Sequence, residues 1–220
     1  MELNKYIDHT NLKQDMSEKD LIELCEEAKK YNFKSICINP AFITQAKELL
    51  KDSDVLICTV IGFPLGANTT ETKVFETKDA ILKGADEIDM VINISKLKDK
   101  DYQYVENEIK EIVKAANGKI VKVIIETCLL TEEEKIKACD IINNAKASFI
   151  KTSTGFSTNG ATVEDVELFK REINKEIEIK AAGGVRTKND ALKMINAGAT
   201  RIGTSGGVKI VNDEEHVSGY

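Results

Sequence analysis

The sequence predicts one α/β domain over residues 1–220, a (β/α)8 TIM barrel, and three observations carry that prediction. Strand-like and helix-like segments alternate from end to end. No proline-rich, serine-rich or low-complexity linker divides them. A short pattern that ends a helix, turns and enters a strand recurs along the chain. Alternation of this kind argues for a parallel sheet covered by helices, and 220 residues suit one domain with a sizeable core.

The elements follow in order. A first strand reads as Tyr6–Asp8. Ser17-Glu18-Lys19-Asp20 then opens a helix whose Leu21, Leu24, Cys25 and Ala28 share one face. Ser35–Ile38 is the second strand, and Pro40 suits the first turn of the helix after it. Leu56–Ile61, Glu87–Ile92 and Val121–Glu126 are strands three to five. Thr131-x-x-Glu134, Thr162-x-x-Asp165 and Thr187-x-x-Asp190 resemble capping boxes. They open the helices that precede Phe149–Thr152, Glu178–Ala181 and Arg201–Gly203, respectively.

The repeated pattern sets a register. Lys83-Gly84-Ala85-Asp86-Glu87-Ile88-Asp89, Ala145-Lys146-Ala147-Ser148-Phe149-Ile150-Lys151 and Ala197-Gly198-Ala199-Thr200-Arg201-Ile202-Gly203 each carry isoleucine at the sixth place. Tyr31-Asn32-Phe33-Lys34-Ser35-Ile36-Cys37 fits more loosely. Gly84, Gly198 and Asn32 fall where a helix needs a left-handed cap. If the isoleucines face the helices, Cys37, Asp89, Lys151 and Gly203 face inward, roughly in one layer. Period-two alternation places Lys122 with Ile124 and Glu126 on one face, and Glu178 with Lys180 on another. A barrel interior is ordinarily bulky and apolar; this one holds Asp89, Lys151, Lys180 and Lys122.

Composition narrows the function classes. Net charge is −6 and hydrophobic residues are 42%, so no basic stripe is left for nucleic acid. No apolar run is long enough to span a membrane, and Met1-Glu2-Leu3-Asn4-Lys5 does not begin a signal peptide; a cytoplasmic location is expected. The five cysteines show no CxxC spacing and there are two histidines, a poor set for a disulfide framework or a metal. Cys25 and Cys139 read as small core residues.

The chemistry centres on Lys151. It ends an apolar strand and is followed by Thr152-Ser153-Thr154-Gly155, a polar turn at the C-terminal mouth where barrel active sites lie. Burial favours the neutral amine, a nucleophile for carbonyl carbon. The competing reading is a strand-end lysine snorkelling to solvent. Lys180, on the next strand, adds a second ammonium that raises the cost of charging Lys151; a salt bridge to Glu178 or another barrel carboxylate is its alternative. Asp89 serves as a structural partner, a proton carrier, or both. Gly183-Gly184-Val185-Arg186-Thr187 and Gly203-Thr204-Ser205-Gly206-Gly207 follow strands seven and eight, where such barrels bind phosphate through backbone N–H groups.

These segments, with Glu87-Ile88-Asp89-Met90-Val91-Ile92 and Lys122-Val123-Ile124-Ile125-Glu126-Thr127, resemble the motifs of the deoxyribose-phosphate aldolase family, in the family's order and over nearly the whole chain. The resemblance implies a class I aldolase that interconverts 2-deoxy-D-ribose 5-phosphate with acetaldehyde and glyceraldehyde 3-phosphate. It implies neither metal nor other cofactor, because the imine is the electron sink. It makes Lys151 the Schiff-base residue, with Lys180 perturbing it and relaying protons with Asp89. It sets Gly155, Gly183, Gly184, Gly203 and Ser205 at phosphate-binding positions, with Cys37 and Asp8 lining the site. Tyr220 matches a C-terminal tyrosine that assists enamine protonation in some members, and a homodimer or homotetramer is implied. Gly206 stands where some members have a second serine, and Ala181 where others have proline. Another Schiff-base barrel aldolase or transaldolase, or a non-catalytic sugar-phosphate-binding barrel, is the alternative.

Overall fold

The computed structural model describes residues 2–214, and in it eight parallel strands close into a barrel in chain order. They are β1 (Ile7–Asn11), β2 (Ser35–Ile38), β3 (Leu56–Ile61), β4 (Glu87–Val91), β5 (Ile120–Ile124), β6 (Phe149–Lys151), β7 (Glu178–Ala182) and β8 (Arg201–Thr204). The helices are α1 (Glu18–Tyr31), α2 (Ile43–Leu49), α3 (Thr70–Lys83), α4 (Ile94–Lys98), α5 (Tyr102–Ala115), α6 (Glu132–Ala145), α7 (Val163–Glu172), α8 (Lys188–Ala197) and α9 (Gly207–Val211). None of the described helices is long and apolar enough to cross a membrane.

Local chemistry explains where the helices start and stop. Ser17, Thr131 and Thr187 each accept the N–H three residues on, and Asp20, Glu134 and Asp190 reach back to the cap N–H. Thr162 makes only half of this box, because the Asp165 carboxylate turns to Lys135 Nζ at 2.5 Å. Each such cap contributes about 1 kcal/mol. α1 and α3 end on Asn32 (φ 53°) and Gly84 (φ 114°), the left-handed positions the repeat foretells.

The register reading holds. Ile36, Ile88, Ile150 and Ile202 are fully buried in the main core. The residues after them lie inside the barrel, where Lys151 meets Asp89.

Six strands differ from the sequence reading by one to three residues at an end, and two of the ends have a clear local cause. β1 begins at Ile7, because Tyr6 closes a 3-10 turn over Leu3–Tyr6. β5 stops at Ile124, and Glu126 adopts φ +52°, which breaks the alternation that paired it with Lys122.

One buried ion pair outside the barrel fixes the end of β4. Lys73 Nζ on α3 donates to Val91 O at 2.8 Å and to Glu108 Oε1 at 2.7 Å, and Glu108 Oε2 accepts from Asn93 N at 3.0 Å. The strand that carries Asp89 is thereby tied to two helices.

Candidate active site in the barrel interior

Seven ionisable side chains fill the centre: Asp8, Glu87, Asp89, Lys122, Lys151, Lys180 and Arg201, all buried. Lys151 Nζ and Lys180 Nζ both donate to Asp89 Oδ2 at 2.7 Å. Lys180 Nζ also lies 2.5 Å from Asp8 Oδ2, in ionic contact but off the angle of a hydrogen bond. Lys122 Nζ stands 2.7 Å from Glu87 Oε2 and 2.8 Å from Asp89 Oδ1. Arg201 Nη1 bridges Asp8 Oδ1 at 2.7 Å and Glu87 Oε2 at 2.8 Å. Phe149 floors the cluster, its ring 5.3 Å from the Arg201 guanidinium and 5.9 Å from Lys122 Nζ.

The network sets the charges. Burial alone would raise the Asp89 pKa, but the amino groups of Lys122, Lys151 and Lys180 outweigh it and hold the carboxyl well below the usual range. Asp8 is likewise held down, against burial, by Lys180, Arg201 and Lys122. Burial opposes the Lys180 charge, yet Asp8 and Asp89 push its pKa well above normal. Lys180 therefore rests as a cation. Its partners are Asp8 and Asp89; Glu178, the other candidate, is exposed at the far end of β7. Three carboxylates already face three cations without Lys151. Lys151 is the fourth basic side chain of this buried set and shares Asp89 Oδ2 with Lys180.

Metal ligation competes poorly here. Cys37, Cys58 and Asp89 place ligand atoms within 4.8 Å of one another, as do Asp8, Cys58 and Glu87. In both groups Lys122 Nζ, 3.2 Å from Cys58 Sγ, supplies the positive charge that a cation would bring.

Above this layer lie the loops after β6, β7 and β8. Gly183 (φ +82°) folds back on Gly160, where a Cβ would stand 2.2 Å from Gly183 O. Gly155, Gly184 and Ser205 belong to the same three loops. Gly203 stands two residues before Ser205. It sits within β8, and a Cβ on it would stand 3.0 Å from Lys180 Cε and 2.9 Å from Ala182 Cβ. The structure thus gives Gly203 a packing task, making room for Lys180. Cys37 forms part of a small apolar wall with Leu12, Cys58 and Val60, against which Phe63 packs. Tyr220 lies outside the described residues.

Sequence reasoning missed four residues. Glu87 and Arg201 complete the ion network, and the same alternation that turned Asp89 and Gly203 inward signals both. Glu126 is the third: its buried carboxylate accepts Thr154 N at 3.2 Å and Thr154 Oγ1, and Thr154 Oγ1 in turn accepts Phe156 N at 3.0 Å. Burial pushes the Glu126 carboxyl up, against the Thr154 hydrogen bonds. This clamp holds the segment that leaves Lys151. The fourth is Ser153, whose buried Oγ finds no partner among the described residues and lies beside Gly183. A buried unpaired hydroxyl is uncommon.

Similarity to known proteins identifies the family. A sequence model for "DeoC/LacD family aldolase" matches residues 3–211. The deoxyribose-phosphate aldolase of Streptococcus sanguinis is 60% identical over 220 residues, the whole of both chains. That of Bacillus cytotoxicus is 60% identical over 217 residues, 98% of this chain and 97% of its own. The tetrameric deoxyribose phosphate aldolase from Aeropyrum pernix superposes with a TM-score of 0.89 at 34% identity, over 96% of this chain and 89% of that one. The chain belongs to the DeoC/LacD family of aldolases.

Proposed function

We propose that this protein is a class I aldolase that reversibly cleaves 2-deoxy-D-ribose 5-phosphate to acetaldehyde and D-glyceraldehyde 3-phosphate. The carrying observation is the pair of lysines sharing Asp89 Oδ2, with one of them, Lys151, outside the balanced set of charges. The high identity to named deoxyribose-phosphate aldolases supports the substrate.

In this reading neutral Lys151 attacks C1 of the open-chain sugar phosphate. The carbinolamine loses water to give an iminium ion, which needs no metal or other cofactor as electron sink. Asp89, directly or through one water, takes the C3 hydroxyl proton. The C2–C3 bond breaks and glyceraldehyde 3-phosphate leaves. The enamine is protonated, with Tyr220 assigned as donor, and hydrolysed to acetaldehyde. Lys180 rests as an ammonium beside Lys151 and, with Asp89, relays protons, giving one up and regaining it within the cycle. Backbone N–H groups at Gly155, Gly183 and Gly184, with the Ser205 hydroxyl, hold the phosphate. Ser153 Oγ adds a donor beside them.

The protein works in the cytoplasm as a homodimer or homotetramer, on small molecules and without nucleic acid or membrane. The tetrameric Aeropyrum pernix relative supports self-association. So do Phe75 and Leu82, two turns apart on α3 and 71% and 85% exposed.

Borohydride reduction with acetaldehyde, followed by peptide mass analysis, tests the mechanism. N-ethyl-Lys151 is expected, and active protein unmodified at Lys151 overturns it. Phosphate binding without any trapping would leave a binding protein, and a donor other than acetaldehyde would leave a different Schiff-base aldolase.

A further inference from the structure

Two thiols stand side by side on the wall facing Asp89. Cys37 and Cys58 are direct register partners on β2 and β3, and both are fully buried. Register partners on neighbouring strands are about 4.8 Å apart, inside the Cα range that a disulfide spans. Their Sγ atoms and an Asp89 carboxylate oxygen all lie within 4.8 Å of one another. Cys58 Sγ is 3.1 Å from Asp89 Oδ1, and its S–H can turn to Asp89 or to Cys37.

We propose that Cys37 and Cys58 are a redox pair whose reversible disulfide switches off the Lys151 site. The oxidant class is a peroxide. Cys37 sulfur attacks it, forming an S–O bond and breaking the O–O bond, to give Cys37 sulfenic acid; the leaving hydroxide takes the thiol proton and becomes water. Cys58 sulfur then attacks Cys37 sulfur. The S–S bond forms, the S–O bond breaks, and the hydroxide leaves as a second water with the Cys58 proton. Two thiols and one peroxide yield one disulfide and two waters, and a dithiol reverses the change.

The two thiols are matched to these parts. A hydrogen bond from Cys58, aided by the charge of Lys180, outweighs burial and lowers the Cys37 thiol pKa. Burial raises that of Cys58 well above the ordinary value, as suits the resolving partner. Cys25 and Cys139, among the outer helices, are pushed up by burial to about 11 and about 12. Oxidation removes the Cys58 S–H from Asp89 Oδ1 and draws its sulfur toward Cys37. Asp89 Oδ2 carries the hydrogen bonds from Lys151 and Lys180, so the change reaches the nucleophile through one carboxylate. For access, the inference rests on the proposed aldolase reading: an interior that admits an aldehyde to Lys151, itself 3% exposed, admits hydrogen peroxide.

The test treats the full chain with hydrogen peroxide, alkylates it under denaturing conditions and maps its peptides. A Cys37–Cys58 linked peptide is expected. Retro-aldol activity should fall in step with it by about tenfold or more and return with dithiothreitol. Cys58→Ser and Cys37→Ser should each form no linked peptide, and Cys37→Ser, compared with its own untreated rate, should lose the dithiothreitol-reversible inactivation; alanine variants serve if the serine ones do not fold. Inactivation without the linked peptide, or the linked peptide with full activity, overturns the proposal. Borohydride trapping of acetaldehyde by the reduced protein reports Lys151 separately, so trapping without a cross-link sinks the redox pair and leaves the aldolase reading standing.

Discussion

Replacing Gly203 by alanine separates two roles for one residue. Its backbone is ordinary for an L-residue, so the added methyl acts through space alone. That methyl would stand 3.0 Å from Lys180 Cε, 2.9 Å from Ala182 Cβ and 3.8 Å from Ala182 Cα. Carbon atoms in good contact sit about 3.5–4.0 Å apart, so Lys180 must retreat by roughly half an ångström or more. It cannot do so freely, because its ammonium is held 2.5 Å from Asp8 and 2.7 Å from Asp89. Overpacking of this sort costs about 1–3 kcal/mol, or roughly 2–10 °C in Tm for a chain of this size. Displacing a charge beside the nucleophile lowers kcat by about ten- to a hundredfold. On the packing argument the sugar-phosphate KM should change little, since the methyl meets only Lys180 and Ala182. Steady-state kinetics with a thermal scan reads all three quantities. A kcat within about twofold of the parent and an unchanged Tm would refute the packing argument. A raised KM at constant kcat would return Gly203 to the phosphate site.

Glu126→Gln keeps the shape of the Thr154 clamp but turns an amide donor toward donors; kcat/KM should fall by about tenfold. Little stability should be lost, because burial already opposes the Glu126 charge, and an unchanged kcat/KM refutes the clamp. Lys122→Met strips Glu87 and Asp89 of a shared ammonium and should cost about 3–5 kcal/mol, read from urea denaturation; an unmoved midpoint contradicts it. Asp8 and Asp89 have folded pKa values below their ordinary 3.8, so their contribution is fully present above that value. It is lost as pH falls through it toward the lowered folded values. The urea midpoint should accordingly hold from neutrality to about pH 5 and drop below about pH 4. A loss complete by pH 6 would exclude these carboxylates as its source.

The fold was legible because its signals are local. Ile36, Ile88, Ile150 and Ile202 fix the strand register at one place in each repeat, and Ser17, Thr131 and Thr187 mark helix starts within four residues. Lys151, Lys180 and Asp89 were legible because a charge inside an apolar strand is a local anomaly. The partner of Lys180 was not, because Asp8 is brought to it by barrel closure and no sequence period connects them. Glu126 was missed as a clamp because alternation assumes extended backbone, and its left-handed conformation turns the side chain toward Thr154. Gly203 looked like a loop glycine because its sequence neighbours are loop glycines; only the space beside Lys180 shows what its missing side chain is for.

The interior charges divide by sign along the chain. Asp8, Glu87 and Asp89 all come from β1 to β4, and Lys122, Lys151, Lys180 and Arg201 all come from β5 to β8. A first half folded alone would enclose three anions, and a second half alone would enclose only cations. Neither could bury its inner face without its complement. The barrel is in this sense two half-shells of opposite polarity, joined at the seam where Arg201, from the last strand, meets Asp8 of the first.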